Sequence, residues 1–211
     1  MKLTQELIVA TGEAEIGAEI HVWSMIDCCL LKKFKTAHQN GVINLAFSFD
    51  GVYLISIGTV SKNYNIQVVN WRSGEILSDI QASTEPILDL IVDPYHRDLF
   101  STCGKNRIQT WRLNNQTLTV DQNVEISSFN GQPVYITAMS YIYYLPGDKI
   151  VTDLIIGNNR GDVGLVTCGR YIILKKQAHK GMINTIKITD VIGEVSLGLI
   201  PETNDNYHWR G

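Results

Sequence analysis

Several function classes lose their support before any motif is considered. The 211-residue chain has only four cysteines, five prolines and 18% charged residues. Cys28, Cys29, Cys103 and Cys168 form no CxxC pair, and adjacent cysteines do not easily bridge to each other, so neither a disulfide framework nor a zinc ribbon is expected. They read as reduced, buried thiols of an intracellular protein. The longest early apolar run, Leu7 to Ala10, is too short for a signal-peptide core or a membrane span. The expected location is therefore cytoplasmic. A net charge of −3 supplies no global field toward nucleic acid or an anionic membrane, so neither is expected as a partner.

The chain also has no GxSxG, P-loop or GxGxxG, and no HExxH or HxxxH spacing. His21, His96 and His208 are scattered, so no metal and no cofactor is expected. Asp50, Asp93 and Asp148 lie in SFDG, VDPYH and LPGDK, where an aspartate accepts backbone N–H bonds in a turn. No enzymatic activity is expected. Sustained helical periodicity is missing, and so is any low-complexity linker.

The chain does contain a repeat. Apolar first strands begin at Gly41, Pro86, Pro133 and Gly181, at intervals of 45, 47 and 48 residues, which is the period of a four-stranded propeller blade. Second strands end in a glycine each time, at Gly12, Gly58, Gly104, Gly157 and Gly198. Third strands end at Trp23, Val69, Trp111, Val166 and Trp209, and fourth strands follow near 28–34, 75–80, 118–126 and 171–176. The predicted fold class is all-β: a WD40-type β-propeller segment of about four to five antiparallel blades in an incomplete ring. It reads as one domain over 1–211, with units near 1–37 (partial), 38–82, 83–129, 130–177 and 178–211 (partial). Because blade faces need neighbours, the segment is expected to be a piece of a longer propeller or to associate with itself through its open blade ends.

His38 and His179 precede equivalent first strands in AHQNG and AHKG. In WD-type blades a histidine there hydrogen-bonds within the blade, to a Ser or Thr and the strand Trp, so both are expected to be structural. The recurrence of Trp23, Trp111 and Trp209 at one repeat position points to packing, whereas Trp71, two residues past that position, is expected beside a turn. Lysines recur on fourth strands, at Lys32, Lys33 and Lys35 and at Lys175 and Lys176. Two readings stay open for them: protection of an outer edge against strand pairing, or a basic rim for an acidic partner.

The segments ATGEAEIGAEIHVWS, AHQNGVINLAFSFDG, VVNWRSGEIL, VDPYHRDLFSTCGKNRIQTWRL, IIGNNRGDVGLV and QAHKGMINTIKI resemble consecutive blades of the echinoderm microtubule-associated protein-like family, in order and over nearly the whole chain. The WD dipeptide is degraded to Trp23-Ser24, Val69-Asn70, Trp111-Arg112 and Val166-Thr167, as is usual in that family. The resemblance implies part of a tandem propeller region that binds tubulin or microtubules, a cytoskeletal location and no catalysis. It also brings Lys32, Lys33, Lys175 and Lys176 forward as partner contacts. The other reading is a general scaffold for a ciliary or signalling complex that binds other proteins without touching tubulin.

Overall fold

A computed structural model describes residues 7–128, 130–144 and 151–188. Among them all regular structure is antiparallel β-strand. The first sheet has three strands, β1 (Ile8–Gly12), β2 (Glu19–Ser24) and β3 (Cys29–Lys35). The second has β4 (Val42–Phe47), β5 (Tyr53–Val60), β6 (Asn63–Asn70) and β7 (Glu75–Ser83). The third has β8 (Ile87–Val92), β9 (Leu99–Gly104), β10 (Arg107–Asn114) and β11 (Thr117–Glu125). The fourth has β12 (Ile136–Tyr144), β13 (Val151–Asn158), β14 (Val163–Thr167) and β15 (Arg170–Lys175). In each sheet the spatial order equals the chain order, so each is a simple meander, and the sheets do not close into a ring. Among the described residues, no helix is long and apolar enough to cross a membrane.

Strands such as β5 are apolar at almost every position because both faces of a blade are covered. Leu54 packs with Ile20, Val22, Val69 and Trp71 between the first and second blades. One residue on, Ile55 points the other way and joins Ile57, Ile66, Val68, Leu90, Phe100 and Trp111 between the second and third. A third core, centred on Cys103, Ile108, Val124, Ile136, Leu154 and Ile156, fills the space between the third and fourth. At roughly 25 cal/mol per Å² of buried apolar area, these three seams are the main source of cohesion.

The repeat glycines mark close approaches. None of Gly12, Gly58, Gly104 and Gly157 has a positive φ, so space is what each position requires. A Cβ on Gly104 would lie 2.1 Å from the Pro86 carbonyl oxygen, and one on Gly58 would meet the His38 ring at 2.3 Å. At Gly12 and Gly157 the obstacle is the next unit, Val42 at 2.7 Å and Ile183 at 2.5 Å.

Bulges set the remaining register. An unpaired residue recurs early in the first strand, at Ile43, Leu88 and Thr137. Another recurs in the outer strand, at Leu31, Leu77 and Asp121, immediately after the partner of Trp23, Val69 or Trp111. The fourth blade's first strand starts at Ile136, later than the Pro133 alignment implies, because Val134 and Tyr135 are held in the connecting loop. There Asn106 N–H donates to the Val134 carbonyl while the Asn106 Oδ1 accepts Val134 N–H, both at 2.7 Å. Asn159 does the same with Tyr135, at 2.9 and 3.0 Å.

Three expectations are corrected or fall elsewhere. Of the cysteines only Cys103 is buried, where burial pushes its thiol well up from its ordinary range; Cys28, Cys29 and Cys168 are exposed. Cys28 and Cys168 lie in the tight turns between third and fourth strands, with φ of 51° and 48°, and Cys29 opens β3. Residues 182–188 form no strand, although Ile183 is buried and its N–H donates to the Asn158 carbonyl. The second strand that would pair with them in a hairpin, along with Gly198, Trp209, His208 and Asp148, lies outside the described residues.

Gly104→Ala is expected to lower the chain's unfolding free energy by about 1–3 kcal/mol, since the colliding atom is backbone and cannot swing away. Gly181→Ala, with nothing within 4 Å of the new Cβ and no positive φ, is expected to stay within about 0.5 kcal/mol. Urea unfolding of the two variants checks the contrast.

Candidate functional site

The sheets present three kinds of surface: two loop faces and an outer rim. On one loop face, the connections leading into each blade meet the turns between second and third strands. His38 lies there and is 1% exposed. Its Nε2–H donates to Ser56 Oγ at 2.9 Å, and Ser56 Oγ donates onward to the Gln67 carbonyl. Burial lowers the affinity of this ring for a proton, so His38 is neutral and its Nδ1 has no hydrogen-bond partner. In the third blade Trp111 Nε1 donates to Thr102 Oγ1 at 2.9 Å, and the indole stacks on Phe100. Ser56 and Thr102 each stand two residues before their repeat glycine. The second blade thus keeps the His and Ser of the relay with Val69 in the Trp place, and the third keeps the Trp and Thr with no His. Beside the second blade's relay, the Gln67 amide is 1% exposed and has no hydrogen-bond partner.

The other sequence-singled residues are less enclosed. Trp23 is half-buried, donates to Thr11 Oγ1 at 3.0 Å and faces Val9, three residues before Gly12. Trp111 faces Phe100, four before Gly104, so the first blade's second strand is slipped by one relative to the third's. Trp71 donates to the Gly51 carbonyl at 2.7 Å, beside its turn as expected, and also packs edge-on to Phe47 in the core. The His179 side chain is exposed, and its backbone N–H donates to the Gly161 carbonyl. Ser196, which matches Ser56 by its place two before the repeat glycine, is outside the described residues.

On the rim, Lys33 sits against Glu19, and this ammonium holds the Glu19 carboxyl below its ordinary range. Lys32 is half-buried beside the Gly74 turn of the second blade, and Lys175 and Lys176 are exposed. The two lysine pairs stand on the first and fourth sheets, with two sheets between them. Sequence spacing did not single out the convergence of Glu13, Glu19 and His21, whose ligating atoms lie within 4.8 Å of one another. The available signal was Glu19 and His21 at i and i+2 on one strand face. The Lys33 ammonium already occupies the cationic position there.

Asp50 and Asp93 act as turn acceptors. Asp50 Oδ1 accepts Val52 N–H and Ser48 Oγ–H, while Asp93 Oδ1 accepts the N–H groups of Tyr95 and His96. Asp93 also joins blades, since its Oδ2 accepts from Thr152 Oγ1 at 3.0 Å. A groove of about 390 Å³ opens on the loop face of the third blade, lined among others by Glu85, Lys105, Arg107, Glu125 and Ser128.

Above pH 6.5 both folded and unfolded chains carry a neutral His38. Below it the unfolded chain takes up a proton that the buried ring resists, so stability falls with pH. Melting temperatures measured from pH 7 to pH 5 are expected to fall less steeply in His38→Asn. Gln67→Met, which removes an unsatisfied buried amide, is expected to raise stability by about 1 kcal/mol.

No family model matches the chain. Among solved structures it is similar to the β-propeller domain of Cps50 (Swd1) from Myceliophteria thermophila, with 16% identity and a TM-score of 0.64 over 86% of this chain and 55% of that one. It is likewise similar to Sqt1 from Chaetomium thermophilum, with 13% identity and a TM-score of 0.63 over 84% of this chain and 45% of that one. The chain thus spans about half the length of each of these structures. The likeness, together with the four meandering sheets, shows the fold: an incomplete WD40-type β-propeller.

Proposed function

We propose that the chain is a noncatalytic protein-interaction segment of a cytoplasmic, cytoskeletal protein of the echinoderm microtubule-associated protein-like kind, and that it docks on tubulin through its rim. The observation that carries the reading is the placement of Lys32, Lys33 and Lys175 on outer strands, with Lys176 just past one, where an acidic partner can reach the exposed Lys33, Lys175 and Lys176 and the half-buried Lys32 borders them. The ordered, family-like segments supply the choice of tubulin. The aspartates singled out in the sequence and described in the structure serve turns, which agrees with a binding role.

The groove beside Lys105 and Arg107 favours a second reading, a scaffold that holds a short peptide of some other protein on the loop face. Open blade ends also offer the isolated chain a surface for self-association, read out as oligomeric mass.

Cosedimentation with microtubules distinguishes the readings. The chain is expected to pellet with the polymer, and the variant carrying Glu at Lys32, Lys33, Lys175 and Lys176 to bind about tenfold more weakly. Equal binding by the variant removes the lysines from the contact. Failure of both to pellet removes tubulin, and capture of a non-tubulin peptide that Arg107→Glu abolishes then supports the scaffold.

A further inference from the structure

The outer strands differ in sign. β3 carries Lys32, Lys33 and Lys35, and β15 carries Arg170 and Lys175, with Lys176 just beyond it. Between them, β7 carries Glu75 and Asp79, and β11 carries Asp121 and Glu125. Internal ion pairs do not remove the difference. Lys33 is engaged by Glu19 and Asp121 by Arg112, both on the adjoining strand, which leaves Lys35, Lys175 and Lys176 exposed on the basic edges, with Lys32 half-buried against the Gly74 turn, and Glu75, Asp79 and Glu125 exposed on the acidic ones. Around the rim the order is basic, acidic, acidic, basic.

Each of these strands is also the last in its sheet, so one row of its backbone N–H and C=O groups has no strand neighbour among the described residues. On β3 the exposed Leu30 and Leu31 lie beside the lysines, and on β15 the exposed Ile173 does. Backbone groups, apolar side chains and positive charge are thus offered together along one extended line. The partner chemistry that matches all three is an extended peptide with alternating acidic and apolar residues. The same peptide would meet like charge on β7 and β11 despite the exposed Ile76 and Val120 there.

We propose that the chain holds two separate docking edges for acidic extended segments, β3 and β15, and that the acidic edges between them keep such segments from binding elsewhere on the rim. This rests on the rim reading above and specifies its partner: two acidic tails, or two parts of one, engaged at once. Linked engagement then gives an avidity that neither edge supplies alone.

The test is titration of the full chain with a fluorescein-labelled Glu-Val alternating decapeptide, following anisotropy and stoichiometry, with far-UV circular dichroism of every variant to verify folding. Two peptides per chain are expected. Lys32→Glu/Lys35→Glu is expected to remove one site and Lys175→Glu/Lys176→Glu the other, each change weakening its own edge by about three- to tenfold or more. Glu75→Lys/Asp79→Lys is expected to add a third site, and conversion is informative because it creates binding rather than destroying it. A stoichiometry of one, or sites that ignore the reversals, overturns the proposal whatever microtubules do. Two peptide sites without microtubule binding would leave it standing and remove tubulin as the partner.

Discussion

The arc rests on blade faces burying one another. Each sheet is only a few strands wide and apolar on both sides, so no single blade has a core of its own, and the three seams supply what none could supply alone. That constraint explains why no position of β5 or β9 is exposed, where a solvent-facing alternation would leave one seam empty. It also explains the bulges, which turn side chains that a regular ladder would have sent to the wrong face.

Polar groups inside the seams are arranged as bridges. Ser101 Oγ lies 2.7 Å from the Tyr141 hydroxyl and 2.9 Å from Thr110 Oγ1, and burial pushes the Tyr141 phenol far up from its ordinary range. Asp89 Oδ2 accepts the Met139 N–H, and the Cys103 thiol donates to the Ile136 carbonyl. The seam between the third and fourth blades is therefore tied by side-chain bonds as well as by apolar contact. The relay around His38, by contrast, lacks the Trp of the third blade, and the neighbouring Gln67 amide is buried without a partner.

Much of this architecture was legible because the repeat is periodic. The repeat glycine was visible as a letter, although it ends the second strand only at Gly12 and Gly104, with β5 running on to Val60 and β13 to Asn158; its cause, a collision with Pro86, His38, Val42 or Ile183, follows from the packing. Register was less legible. The alignment at Pro133 missed the true start of β12 by three residues because the two asparagines hold the loop extended, a long-range effect with no local signature. The equivalence of the tryptophans held at the outer-strand bulge and slipped by one at the second strand, since the first blade has a longer turn there. The cysteines were misplaced because burial was inferred from residue type, while the turns at Cys28 and Cys168 keep them outside. On the rim, the lysines could be read from sequence, but the alternation of sign between sheets and the seating of Lys33 on Glu19 needed the fold.

The asparagine clamps on the loop between the third and fourth blades have a chemical consequence. At both Asn106 and Asn159 the loop is gripped by the backbone N–H and the side-chain carbonyl oxygen, while the amide NH₂ takes no part in that grip. A carboxylate offers the same acceptor in the same plane. An amide and an acid therefore grip the loop alike at these positions, and what an acid at Asn106 would give up is the donation from the amide NH₂ to Ser128 Oγ at 3.0 Å, which lies outside the joint.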